Sequence, residues 1–167
     1  EYSDRVIKDL LALPVSRYSI VSAKLLIVFF WSFLLLILLY DIGLISGLLI
    51  HLDGWNKELF LKKTQVYFMS AFLTVLLFPV IAFLTCMSRG YLLPVGIAIL
   101  TLIVTQFVFI GFPGITPYFP WAVPAICSGI AGPASPNPQG LSYIIIVLTS
   151  LTGIAGTALW WRYADHH

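Results

Sequence analysis

No acidic or basic residue occurs in residues 90–161, a run of 72 residues between Arg89 and Arg162. Soluble domains carry about a quarter of their residues as charged groups, spread along the chain, so this run does not fit a water-soluble fold. The whole chain is 60% hydrophobic and only 10% charged. These features predict an integral membrane protein.

Four apolar segments are long enough to cross a bilayer, whose hydrocarbon core of about 30 Å needs about 20 helical residues. The predicted spans cover residues 24–48, 66–88, 91–111 and 141–161. Pro79 predicts a kink in the second span, and Pro94 falls in the first turn of the third, where proline is tolerated. The sequence therefore predicts an all-α membrane protein with one transmembrane domain over residues 1–167.

Residues 112–140 contain seven of the ten prolines and no charge. The middle of this segment, residues 121–132, is apolar but would reach only about 18 Å as a helix, too short to span. We interpret it as a re-entrant or interfacial half-helix that packs on the bundle, because irregular backbone at membrane depth must be covered by protein. An ordinary proline-rich loop is the alternative.

The distribution of basic residues predicts the orientation, since cytoplasmic loops are enriched in Lys and Arg. A cytoplasmic amino terminus places six basic residues inside (Arg5, Lys8, Arg17, Lys24, Arg89, Arg162) and three outside (Lys57, Lys62, Lys63). Both termini are then cytoplasmic, and residues 112–140 face outward. Trp160, Trp161 and Tyr163 beside Arg162 predict an aromatic and cationic anchor at the inner interface.

Asp41 is the one acidic residue inside a predicted span. It follows Lys24 by 17 residues, or about 26 Å along a helix. This depth favours the far interface over the midplane, although a polar site within a cavity is the alternative.

Residues 4–13 have helical periodicity. One face would carry the apolar residues Val6, Ile7, Leu10 and Leu11, and the other the charged residues Asp4, Arg5, Lys8 and Asp9. Pro14 ends this pattern. A helix lying in the lipid headgroups is one interpretation, but the mixed charges suit a protein partner better than an anionic lipid surface.

The 167 residues of the sequence contain none of the common motifs for catalysis or cofactor binding. No GxxxxGK[ST] phosphate loop and no HExxH occurs, and two of the three histidines are terminal. The sequence predicts no enzyme, cofactor, metal site or nucleic-acid interface, and any energy source must be another polypeptide. Cys86 and Cys127 lie in apolar contexts that indicate packing rather than a disulfide.

Small residues at helical spacing occur in two spans. Gly43 and Gly47 form a GxxxG pattern, while Gly153, Gly156 and Thr157 share a face of the last span. Such faces permit close approach of helices. We interpret both as packing within the chain, with a dimer contact as the alternative.

The stretches "LLALPVSRYSIVSAKLL" and "LTSLTGIAGTALWWRYAD", with the spans between them, resemble the permease subunits of type 2 ABC transporters, particularly those of bacitracin resistance and lantibiotic immunity. In that family a short cytoplasmic helix ending in Leu-Pro-x-Ser-Arg inserts into a groove of the ATPase subunit. The resemblance also implies short outward-facing helices between the last two spans. Six spans are usual, so the match implies that two leading spans are absent here.

The resemblance assigns residues 1–17 to a cytoplasmic coupling helix. The implied ATPase-coupling residues are Arg5, Val6, Ile7, Lys8, Asp9, Leu10, Leu11, Leu13, Pro14 and Arg17. The implied partners are a cytoplasmic ABC ATPase, a second permease subunit in a homo- or heterodimer, and the lipid bilayer of a bacterial plasma membrane. The implied function is outward transport of an amphipathic or lipid-linked substrate, such as a peptide antibiotic. A non-transporting membrane assembly or sensor subunit is the alternative.

Overall fold

The computed structural model describes residues 17–50, 56–88, 92–132 and 136–163 of the chain. The regular structure in these ranges is entirely helical, which confirms the predicted fold class. The helices are α1 (Arg17–Leu49), α2 (Lys57–Leu76), α3 (Phe78–Met87), α4 (Leu92–Gly111), α5 (Val123–Ser128) and α6 (Gly140–Tyr163), with a 3-10 turn at Thr116–Tyr118.

Four segments of the described chain have the length and apolar composition to cross a membrane: Ser22–Leu49, Lys57–Met87, Leu92–Gly111 and Gly140–Tyr163. The first and last contain the predicted spans 24–48 and 141–161, and the other two cover the predicted spans 66–88 and 91–111 except for one residue each. The second helix begins at Lys57, well before the apolar residues near Val66, because Asn56 caps it. The Asn56 side-chain oxygen accepts a hydrogen bond from the Glu58 amide at 3.1 Å, which satisfies one of the free donors at a helix start.

Pro79 breaks the second span, as predicted. Helix α2 ends at Leu76 and α3 begins at Phe78, because proline has no amide hydrogen to continue the ladder and fits only the first turn of a new helix. The Leu77 amide instead donates to the Thr74 carbonyl at 3.1 Å, a tightened turn at the junction.

Helices α3 and α6 cross with their backbones almost in contact. A Cβ atom added to Gly153 would lie 2.6 Å from both the Pro79 carbonyl carbon and the Val80 nitrogen. One turn further, a Cβ on Gly156 would lie 2.9 Å from the Phe83 ring. Small residues in the last span therefore pack against α3 within the same chain, which confirms their interpretation as packing residues.

The glycine pattern of the first span behaves differently. Gly43 has open space where a Cβ would lie, with nothing within 4 Å. By contrast, Thr157 in the last span is 2% exposed. The two patterns look alike in sequence, but Gly43 is not a packing residue within the described chain, whereas Gly153 and Gly156 are.

Helix α5 packs against the bundle, as predicted for this segment. The buried core cluster joins it to α2, its junction with α3, and α6: Leu73, Leu77, Val123 and Ile146. The Ser70 hydroxyl donates to the Pro124 carbonyl at 2.8 Å and fastens α5 to α2. Gly129, at φ 81°, ends α5 in the left-handed conformation that glycine adopts without steric cost.

Candidate functional site

The predicted ATPase-coupling residues precede the described structure, apart from Arg17. The residues outside the described ranges are Arg5, Val6, Ile7, Lys8, Asp9, Leu10, Leu11, Leu13 and Pro14. Arg17 is the first residue of α1. The first turns of α1 are therefore the part of the described structure into which the coupling segment leads.

Three side chains meet near the start of α1, and we call them the foot junction: Lys24, Cys86 and Trp161. The Lys24 ammonium lies 5.4 Å from the centroid of a Trp161 ring. Tryptophan is the aromatic side chain that attracts cations best, and such a contact contributes about 0.5–2 kcal/mol. The Trp161 indole Nε1 in turn donates a hydrogen bond to the Cys86 sulfur at 3.4 Å. The beginning of α1 and the ends of α3 and α6 therefore meet at one place.

A second basic residue lies at the same end of the bundle. Arg162 follows Trp161 in α6, and its guanidinium carbon is 5.4 Å from the Tyr163 ring centroid. The predicted topology requires Lys24 and Arg162 to lie on one side of the membrane. The structure places them at one end of the bundle, among aromatic rings.

Helix α1 contacts the rest of the protein along a narrow stripe. Between residues 26 and 49 its half-buried positions are Ser32, Leu36, Tyr40, Leu44 and Gly47, spaced by three or four residues. The other side chains in this range are exposed, including Phe30 at 69% and Trp31 at 61%. Little of the surface of α1 is thus covered by the residues that the structure describes.

In the middle of this stripe, α1 makes a polar and aromatic contact with α2. The Tyr40 and Thr64 hydroxyl oxygens are 2.6 Å apart, and the Tyr67 hydroxyl donates to the Leu36 carbonyl at 2.8 Å. The Tyr40 and Tyr67 rings are 5.2 Å apart between centroids. Tyr40 follows Lys24 by about 24 Å of helix, so α1 is attached near both ends of this length.

Asp41 lies beside this second attachment and is exposed. It terminates an open groove along α1 whose other lining residues are apolar: Phe30, Phe33, Leu34, Ile37 and Leu38. The groove provides no second polar side chain to pair with the carboxylate. Its interfacial location in the membrane stays a prediction.

The two cysteines predicted to be packing residues, and two serines of α1, make local contacts. Cys86 and Cys127 are free, half-buried thiols, and the Cys127 sulfur is 3.8 Å from the Tyr143 hydroxyl. The Ser32 and Ser46 hydroxyls donate to carbonyls of their own helix at 2.7 and 2.8 Å. Within the described ranges, no three His, Cys, Asp or Glu side chains come together as a metal site would need.

Sequence reasoning noticed each residue of the foot junction but missed their contact. Lys24 marked the start of a span, Trp161 an interfacial anchor and Cys86 a packing residue. The predicted topology placed all three near one interface, which was the available signal. Their contact also depends on how α1, α3 and α6 are each rotated about the helix axis, which the sequence pattern of one helix does not determine.

The fold and this junction define a multi-span helical membrane protein. In the sequence, a predicted amphipathic segment precedes its first span. The family described as "ABC-2 family transporter protein" matches residues 1–105. Among curated proteins, the bacitracin transport permease protein BCRB of Bacillus licheniformis is 27% identical over 168 residues, which cover 100% of this chain and 79% of that protein. No solved structure matches.

The chain belongs to the ABC-2 transporter family. The family match covers well over half of its residues. The resemblance to type 2 ABC permeases that the sequence motifs indicated is therefore confirmed, and the chain is a transport permease.

Proposed function

We propose that this chain is the membrane-spanning subunit of an ATP-driven exporter, which moves an amphipathic or lipid-linked molecule such as a peptide antibiotic outward. The observation that carries the proposal is the alignment of the whole chain with a protein named as a bacitracin transport permease. These 167 residues contain no phosphate-loop motif, and we assign ATP hydrolysis to a separate cytoplasmic subunit.

The ATPase would bind the segment before α1. In this proposal the apolar residues Val6, Ile7, Leu10 and Leu11 fill a groove of the ATPase, because buried apolar anchors supply most of the affinity of an interface. Arg5, Lys8 and Asp9 lie at the rim, where charges contribute specificity more than affinity. Leu13, Pro14 and Arg17 connect this docking helix to α1.

The orientation that we propose has both termini in the cytoplasm of a bacterial cell and residues 112–140 on the outer side. Support comes from Lys24 and Arg162, which lie at one end of the bundle. Support for an embedded α5 comes from Val123, which packs in the same buried cluster as Leu77. Leu77 lies about 16 Å along the helix from Val66, the start of the predicted second span. Such a depth exceeds that of a surface loop.

The exposed apolar faces would contact lipid and a second permease subunit. Among the four candidate spans of the described chain, the span in α1 is the least buried. A homodimer and a heterodimer both fit this proposal, and the partner would be embedded in the same bilayer.

Co-purification tests the proposal. The full-length tagged protein is extracted from native membranes in mild detergent, and bound proteins are identified by mass spectrometry. We expect an ATPase with a phosphate loop, and deletion of the permease should make the cells more sensitive to bacitracin. Recovery without any ATPase, together with unchanged sensitivity, would favour the non-transporting assembly or sensor subunit.

A further inference from the structure

Two of the contacts that α1 makes with the rest of the described chain lie on different helices. Lys24 contacts Trp161 of α6, while Tyr40 and Leu36 contact Thr64 and Tyr67 of α2. Between these attachments most side chains of α1 are exposed. A displacement of the start of α1 would therefore reach α6 at Lys24.

Helix α6 cannot respond to such a displacement alone. At Gly153 its backbone lies against the backbone of Pro79 and Val80, and the Trp161 indole is hydrogen-bonded to Cys86 at the end of α3. Backbone contact in the middle and a side-chain bond at the end leave α3 and α6 no room to slide past each other. The two helices should move together.

We propose that the foot junction passes the movement of the coupling segment to the α3–α6 pair, so that Lys24, Trp161 and Cys86 are positioning residues for transport. This inference rests on the proposed function, because it needs an ATPase that moves the start of α1. Coupling between distant sites requires contacts that both sites can bias. The junction is such a contact, since it joins the helix next to the docking segment with two helices of the bundle.

The test uses the full-length permease in complex with its ATPase. Lys24→Gln removes the cation, and Trp161→Leu removes both the ring and the indole donor. Each variant should retain the ATPase on co-purification and should still hydrolyse ATP. Transport of bacitracin per ATP hydrolysed should fall about fivefold or more, the lower end of common coupling energies.

Conservative variants separate positioning from general stability. Lys24→Arg keeps a cation beside the ring and Trp161→Phe keeps a ring beside the cation, so both should couple far better than Lys24→Gln and Trp161→Leu. Lys62→Gln, which removes the charge of an exposed lysine of α2, is the matched control for Lys24→Gln and should couple like the wild type. The double variant of Lys24→Gln and Trp161→Leu should transport as much per ATP as the single variant with the larger loss, because both changes remove the same contact.

The outcomes distinguish the two proposals. If the wild type binds no ATPase, the proposed function fails and the coupling inference fails with it. If the ATPase binds but Lys24→Gln and Trp161→Leu couple normally, only the inference is overturned. Additive losses in the double variant would overturn it as well. Should Trp161→Leu fail to accumulate in membranes, the comparison of Lys24→Gln with Lys24→Arg decides the question.

Discussion

Gly153 shows how one residue determines the contact between two helices of this protein. Without a side chain it lets α6 approach α3 until a single added carbon would lie 2.6 Å from backbone atoms of Pro79 and Val80. In a bilayer, where lipid tails are as apolar as leucine, such close backbone approach is a principal source of helix association. The neighbouring Gly156 extends the contact by admitting the Phe83 ring.

Replacing Gly153 with Ala should destabilise the protein, because the clashing atoms belong to backbone and cannot turn aside. We expect a loss of about 1–3 kcal/mol, as for other overpacked contacts, seen as a lower midpoint of thermal unfolding in detergent. Gly43→Ala is the matched control, since its site is open and alanine favours a helix over glycine by about 1 kcal/mol. Equal effects of the two changes would contradict the close crossing.

Asp41 provides a second test at the residue scale. If its exposed carboxylate lies at the outer interface, Asp41→Asn should change thermal stability and the proposed resistance to bacitracin little, because water and headgroups already solvate either form. Resistance of cells and the unfolding midpoint of the purified variant are the measurements. A large loss of resistance in normally folded protein would place Asp41 in the substrate path instead.

At the scale of elements, α1 combines a long exposed surface with attachments at two points. A helix held in this way can tilt more readily than one packed along its length, since few buried contacts must be broken. The segment before it is predicted to have the opposite character, with an apolar face that needs a partner. Together they would connect the proposed docking surface to the bundle.

The docking segment makes a prediction at this scale. Replacing Leu10 and Leu11 together with Ser should abolish co-purification of the ATPase, because these residues supply the apolar anchor. Membrane insertion should be unchanged, since the spans are intact, as carbonate-resistant membrane fractions would show. Asp4→Ser, on the charged face of the segment, is the control and should retain the ATPase.

A helix that merely lies in the headgroups would behave in the reverse way. The ATPase would remain bound to the Leu10 and Leu11 variant, and only membrane contact of the segment would weaken. Normal ATPase binding and normal transport by this variant would show that residues 4–13 do not couple the two subunits.

At the scale of the whole molecule, the two ends of the bundle differ in chemistry. The foot junction and Arg162 give one end basic and aromatic side chains. Away from the foot junction, α5 and the 3-10 turn pack against the bundle, and Thr116, Ala122 and Val123 are fully buried there. This asymmetry is what the proposed orientation would require of a protein with a cytoplasmic partner.

Thiol labelling measures the orientation. In a background with Cys86 and Cys127 replaced by Ser, a single cysteine at Ser135 or Asn137 should react with a membrane-impermeant maleimide added to intact cells. A cysteine at Tyr163, which is 70% exposed at the foot end, should react only after the cells are broken. The opposite pattern would reverse the proposed orientation.

The sequence by itself determined the membrane environment, the four spans, the break at Pro79 and the family. These properties depend on local quantities, namely the transfer energy of successive side chains and the missing amide of proline, which neighbours in space do not alter. Hydropathy alone does not predict the helical part of the polar stretch after Asn56, because the Asn56 cap extends α2 beyond its apolar residues.

Only the tertiary structure decided which residues meet. Gly43 and Gly153 belong to similar small-residue patterns, yet one faces open space and the other a backbone. Residues that are far apart in sequence also meet in the fold. The foot junction of Lys24, Cys86 and Trp161 is one example, and the hydrogen bond of Ser70 to Pro124 is another. Their contacts depend on the rotation and crossing of whole helices, which are set by the packing of all the helices together and not by the periodicity of any one.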